Sequence, residues 1–91
     1  MEKTLIDQAF DVWINNYQKS SRSYNIETFY VFVKTILKDG HNINKHDGDW
    51  LTTKIQNSKK ITKNDTDYFV ELFFELKNFY HSQPLSKQRY L

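Results

Sequence analysis

Apolar and polar positions recur with the period of an α-helix in four separate segments of the chain. The first segment predicts a helix over about residues 5–19, with Asp7, Gln8 and Asp11 on its polar side. Thr4 and Asp7 have the spacing of an N-cap pair, and the serine-rich segment 20–23 predicts the end of the helix. The apolar side consists of Leu5, Ile6, Ala9, Phe10, Val12, Trp13, Ile14 and Tyr17.

The second segment predicts a helix over about residues 26–38. The run from Phe29 to Val33 is rich in β-branched and aromatic residues, which on propensity alone would suit a strand. Helical periodicity decides against a strand, because nearly all apolar residues from Ile26 to Leu37 fall on one face of a helix. Asn25 is the predicted N-cap and Gly40 the predicted stop. Val31 is the exception, since it falls on the polar face.

A polar loop is predicted over residues 40–48, with Ile43 as its one apolar anchor. A short helix over about residues 49–57 follows, with Asp49 as its N-cap. Its expected core contacts are Trp50, Leu51 and Ile55. Two turns of helix are unstable alone, so this element depends on packing.

The last helix is predicted over about residues 65–81, capped by Thr62 or Asn64 and ended before Pro84. Its broad core face is predicted to hold Tyr68, Phe69, Leu72, Phe73, Leu76, Phe79 and Tyr80. Asp67, Glu71 and Glu75 form an acidic stripe at successive i, i+4 positions. Val70 and Phe74 fall outside both sets.

Together these segments predict an all-α, compact bundle of about four helices. The 91 residues fit a single domain spanning residues 1–91, with a flexible tail from about residue 83. Aromatic residues make up 16% of the chain, so rings are expected to supply much of the core.

Composition restricts the setting in which the protein works. The chain has no cysteine, which excludes disulfides and thiolate sites and favours a cytoplasmic location. No stretch approaches the roughly 20 apolar residues that a membrane-spanning helix needs. The formal net charge is only +2, so the overall field does not by itself indicate a nucleic-acid partner.

The sequence offers no recognisable catalytic, cofactor or metal site. The segment from Asp39 to Asp49 is rich in His, Asp and Asn, but its spacing does not match an EF-hand or a helical His pair. Only Gly40 and Gly48 are glycines, which excludes glycine-rich phosphate loops. The predicted protein is therefore not an enzyme and carries no cofactor and no metal.

The remaining hypothesis is binding to another protein, or to a second copy as a homodimer. Apolar residues beside charges are typical of an interface edge. The candidate interaction residues are Asp67, Val70, Glu71, Phe74 and Glu75. The sequence leaves open whether Val70 and Phe74 belong to the core instead. The expected function is that of an inhibitor, immunity or regulatory protein, of the kind that phages and mobile elements carry.

Nucleic-acid binding is the alternative. The basic segment with Lys54, Lys59, Lys60 and Lys63 contains no acidic residue from the first to the last of these lysines. Lysine contacts to phosphate would give sequence-independent, salt-sensitive binding. A solvated Lys-rich connection between two helices would show the same pattern.

Overall fold

The computed structural model of the protein describes residues 4–84, which form four α-helices and no strand. The helices are α1 (Leu5–Asn15), α2 (Arg22–Lys38), α3 (Lys45–Ser58) and α4 (Lys63–Ser82). The predicted all-α bundle of about four helices is confirmed. α1 packs beside α2, α2 beside α4, and α4 beside α3. The predicted tail lies, from residue 85 onward, outside the described residues.

The turn between α1 and α2 depends on the side chain of Asn25, which is buried. α1 ends at Asn15 and α2 begins at Arg22, so both boundaries lie four residues earlier than predicted. The Asn25 amide accepts a hydrogen bond from the Gln18 N–H at 2.9 Å and donates one to the Gln18 carbonyl at 2.6 Å. Because Gln18 is held in this turn, α1 cannot continue. The predicted role of Asn25 as an N-cap is wrong.

α3 begins at Lys45, so the predicted loop over residues 40–48 is too long and the predicted cap at Asp49 is wrong. The cap is Asn44, whose side chain accepts from the Asp47 N–H at 3.3 Å. The Asp47 carboxylate in turn accepts from the Asn44 N–H at 2.8 Å. This capping box satisfies two backbone donors at once. Ile43, the predicted anchor, is fully buried.

Gly48 lies inside α3, where it makes room for the ring of Phe74 on α4. A Cβ atom at Gly48 would lie 2.7 Å from two carbon atoms of that ring, a distance that requires one of the groups to move. Gly48 is therefore a helix-packing residue, although the sequence pattern predicts a turn residue there.

α4 runs from Lys63 to Ser82, and Thr62 is its N-cap through a hydrogen bond from the Asp65 N–H to Oγ1 at 3.2 Å. The predicted core face is only partly correct, because Phe69 and Phe73 are buried whereas Phe79 is 48% exposed. Leu76 and Tyr80, which lie in the same part of α4, are half-buried and pack against the core.

Six aromatic rings from three helices form the centre of the bundle. Trp13 has its ring centroid 5.0 Å from that of Phe29 and 5.1 Å from that of Phe69. The Trp13 Nε1–H donates to the Asn25 carbonyl at 3.0 Å, so its polar atom is satisfied inside the core. The remaining three rings belong to Phe10, Phe32 and Phe73. The aromatic core predicted from composition is confirmed.

Candidate functional site

A groove between α1 and α2 carries the two most exposed large apolar side chains among residues 4–84. Val12 on α1 is 64% exposed and Val31 on α2 is 60% exposed. The buried rings of Trp13 and Phe32 form the floor between them. Tyr24, which is 37% exposed, also lines the groove. All of its lining residues belong to α1 or α2 or to the residue directly after α1.

Helical spacing explains how the sequence builds this groove. Ala9, Val12 and Asn16 follow one another at i, i+3 and i+7 along α1. Thr28, Val31 and Thr35 repeat the same spacing along α2. Each helix therefore presents one protruding valine between two smaller or polar side chains. The result is a shallow channel flanked by a valine on each side.

No residue that lines the groove is charged, and its Asn and Thr side chains have hydrogen-bond partners within the chain. Thr28 Oγ1 donates to the Asn25 carbonyl at 3.1 Å, and Thr35 Oγ1 donates to the Val31 carbonyl at 2.7 Å. Asn16 Nδ2 donates to the Val12 carbonyl at 2.7 Å. Since burying an unpaired polar group is costly, these internal bonds lower the cost of covering the groove with an apolar surface.

The volume of the groove indicates the kind of ligand that fits it. It encloses about 260 Å³ and is widely open to solvent. Pockets that bind small molecules usually enclose roughly 300–1,000 Å³ and surround most of the ligand. An open channel of this size accommodates a few apolar side chains from another helix better than it accommodates a small molecule.

The predicted interaction residues on α4 divide into two groups. Asp67, Glu71 and Glu75 are exposed, as an acidic stripe requires. Val70 and Phe74 are half-buried and pack against the core, with the Phe74 ring over Gly48. The structure therefore packs both apolar members against the core, and Phe74 takes part in the packing of α4 against α3. Of these five residues, only the three acidic ones are exposed.

Two of the four predicted nucleic-acid-binding lysines make contacts within the chain. Lys54 Nζ lies 4.0 Å from the Asp7 carboxylate and 5.7 Å from the centre of the Phe10 ring. Lys60 Nζ donates at 3.0 Å to the Ile14 carbonyl in the last turn of α1, which also accepts from the Tyr17 N–H at 3.2 Å. Both lysines therefore have partners within the chain.

A second depression brings Lys59 and Lys60 together with Lys19, a residue that sequence reasoning missed. Lys59 caps the end of α3 in the left-handed conformation with φ 58°, while Lys63 begins α4. Asp65 also lines this depression and reduces its positive potential. Tyr17 lies there too, and burial, reinforced by the Asp65 carboxylate, raises the pKa of its hydroxyl.

The His- and Asp-rich segment before α3 serves the start of that helix. His41 Nε2 lies 3.2 Å from the Asp47 carboxylate, which is already part of the capping box. Within residues 4–84, no group of three or more His, Asp or Glu side chains has the arrangement of a metal site.

No helix in the described part of the chain is both long enough and apolar enough to cross a bilayer. Comparisons of the chain with protein families, with curated proteins and with solved structures give no match.

Proposed function

We propose that the protein is a non-catalytic helical binding domain that acts by binding another protein through the groove between α1 and α2. Its role would be that of an inhibitor, an immunity protein or a regulatory protein. The observation that carries the proposal is the pair of exposed valines, Val12 and Val31, on either side of an uncharged channel. Exposed apolar surface of this kind is typical of sites where proteins bind one another.

The recognition mode that fits this shape is a helix in a groove. An amphipathic helix presents apolar side chains at i, i+3, i+4 and i+7, which match the spacing of the groove walls. The buried floor of Trp13 and Phe32 is rigid, because both rings belong to the packed core. A rigid floor lowers the entropic cost of binding.

Affinity capture with paired variants tests the proposal. The tagged full-length chain and its Val12→Ser/Val31→Ser variant are incubated with a lysate of cells that encode the protein, and bound proteins are identified by mass spectrometry. We expect one or more proteins to bind the wild type and to be lost with the variant. Both valines are exposed, so their replacement should leave the helical circular dichroism signal unchanged.

The acidic stripe on α4 supplies the matched control, as Glu71→Gln/Glu75→Gln also changes two exposed residues. This control variant should retain the captured proteins. If it loses them while the valine variant keeps them, the binding surface is the α4 stripe and the groove assignment is wrong.

Nucleic-acid binding is the second candidate, and the convergence of Lys19, Lys59 and Lys60 at one depression favours it. Three lysines that line one depression could contact successive phosphates. The competing observations are the internal bond of Lys60 and the presence of Asp65 in the same depression.

Charge reversal tests this second candidate. Lys19→Glu/Lys59→Glu should abolish any retention on double-stranded DNA at about 50 mM salt. Lys38→Glu/Lys45→Glu carries the same change in net charge at two exposed positions elsewhere and serves as the control. Lys60 stays unchanged, because its ammonium already donates to the Ile14 carbonyl in the last turn of α1. Equal retention of both variants, or no retention of the wild type, contradicts nucleic-acid binding at this site.

A further inference from the structure

We infer that the depression lined by Tyr17, Lys19, Lys59, Lys60 and Asp65 is a binding site for single-stranded nucleic acid. This lysine depression shares no lining residue with the groove between α1 and α2, so the inference goes beyond protein binding through that groove. It rests on the second candidate function and deepens it, because it specifies a strand with unpaired bases instead of nucleic acid in general.

The first argument is the positive charge of the lysine depression. Lys19 follows α1, whereas Lys59 and Lys60 follow α3, so the fold brings lysines from two separate connections to one place. Among the residues that the structure describes, the lining contains these three lysines and one carboxylate, that of Asp65. The formal excess of positive charge suits the phosphates of a nucleic-acid backbone, whose contacts with lysine supply much of the affinity.

The lysine charges remain available to a ligand. Lys19 and Lys59 are exposed, and neither forms an ion pair with a residue in the range 4–84. Lys60 Nζ donates to the Ile14 carbonyl, a neutral acceptor that leaves its charge uncompensated. An ammonium group has three N–H donors, so Lys60 retains donors for a phosphate oxygen.

The second argument is an aromatic ring beside these charges. Tyr17 lines the lysine depression and is half-buried, with its ring centroid 5.8 Å from that of Trp13 and 6.3 Å from that of Phe69. These two core rings hold the Tyr17 ring in place. Proteins bind single strands in positively charged grooves where bases stack on aromatic side chains. The combination of lysines and a ring therefore matches an unpaired base with its phosphates.

The third argument is shape. The lysine depression holds about 320 Å³ and is open to solvent, so a strand can pass through it with a base turned inward against Tyr17. A duplex keeps its bases stacked inside the helix, and turning one of them out costs unpairing and unstacking energy. The concave site therefore favours a single strand over a duplex.

Asp65 allows a test by a gain of binding. Burial and the Asp65 carboxylate raise the pKa of the Tyr17 hydroxyl, which places this negative charge within reach of the ring. The same charge repels the phosphates of a bound strand. Asp65→Asn should therefore strengthen binding by about threefold, the effect of one partly screened charge. The hydrogen bond from the residue 65 N–H to Thr62 Oγ1 is kept in this variant.

Fluorescence anisotropy of the full-length chain tests the inference with labelled oligo-thymidine of about 12 nucleotides and with a duplex of the same length. At about 50 mM salt we expect the single strand to bind at least about fivefold more tightly than the duplex. Lys19→Gln/Lys59→Gln should weaken this binding by about tenfold. The variant should also reduce the slope of log Kd against log salt by about 1.4, which is about 0.7 for each lysine.

Replacement of the ring separates stacking from charge. Tyr17→Leu should weaken binding of the single strand severalfold with an unchanged salt slope, whereas Tyr17→Phe keeps the ring and should bind like the wild type. Lys38→Gln/Lys45→Gln changes two exposed lysines elsewhere and is the control for net charge. This control should retain wild-type affinity within about twofold.

Three results would overturn the inference: a duplex that binds as tightly as the single strand, no gain in Asp65→Asn, or an equal loss in the control and in Lys19→Gln/Lys59→Gln. The test with Asp65→Asn does not depend on the stability of the Tyr17 variants. Equal binding of duplex and single strand through Lys19 and Lys59 overturns the inference but supports the second candidate function. A wild type that binds neither form at about 50 mM salt removes both.

Discussion

Asn25 sets the boundary between the first two helices at the scale of a single residue. Its side chain makes two hydrogen bonds to the Gln18 backbone, and its carbonyl accepts from Trp13 Nε1. The side chain is buried, and its removal takes the partner from both the Gln18 N–H and the Gln18 carbonyl. The loss of a partner costs up to about 1–3 kcal/mol for each backbone group that water does not reach.

Asn25→Ala should therefore lower the free energy of unfolding by about 2–4 kcal/mol, measured by urea denaturation. Asn78→Ala is the control, because Asn78 is exposed on α4 and should change stability by less than about 0.5 kcal/mol. Similar stabilities for both variants would contradict the structural role of Asn25.

At the scale of elements, the approach of α3 to α4 depends on the pairing of Gly48 with Phe74. Alanine in place of glycine inside a helix normally stabilises it by about 1 kcal/mol. At Gly48 the added Cβ atom would collide with the Phe74 ring, so the benefit should disappear.

A double-mutant cycle tests this pairing. Gly48→Ala should stabilise the protein by about 1 kcal/mol in a Phe74→Ala background and should be neutral or destabilising in the wild type. Urea denaturation of the four proteins measures the difference. An equal effect in both backgrounds would show that the Phe74 ring does not restrict the side chain at position 48.

The elements were predictable where local signals agreed with periodicity, as at Thr4, the predicted and observed N-cap of α1, and at Thr62, one of the two predicted caps of α4. The prediction fails where one residue type suits two different structural roles. Asn25 suits both a cap and a buried bridge, and only the distant contact to Gln18 decides between them. Gly48 is typical of turns, whereas its function here depends on Phe74, which lies in another helix.

At the scale of the whole molecule, the aromatic rings of three helices complete a core that does not need Val12 or Val31. The position of Val31 on a polar face already marked it as unusual. Val12 could not be recognised in the same way, because α1 carries more apolar residues than one face accommodates. Only the arrangement of the neighbouring helices shows which apolar residue of α1 remains outside the core.

The central claim is that the groove between α1 and α2 is a binding surface for a protein. The dissociation constant of the Val12→Ser/Val31→Ser variant tests this claim most directly. It is measured by isothermal titration against the captured protein, or by sedimentation where the partner is a second copy. The binding groove predicts a loss of affinity of at least about tenfold, with the free energy of unfolding within about 0.5 kcal/mol of the wild type. Wild-type affinity in this variant would contradict the claim.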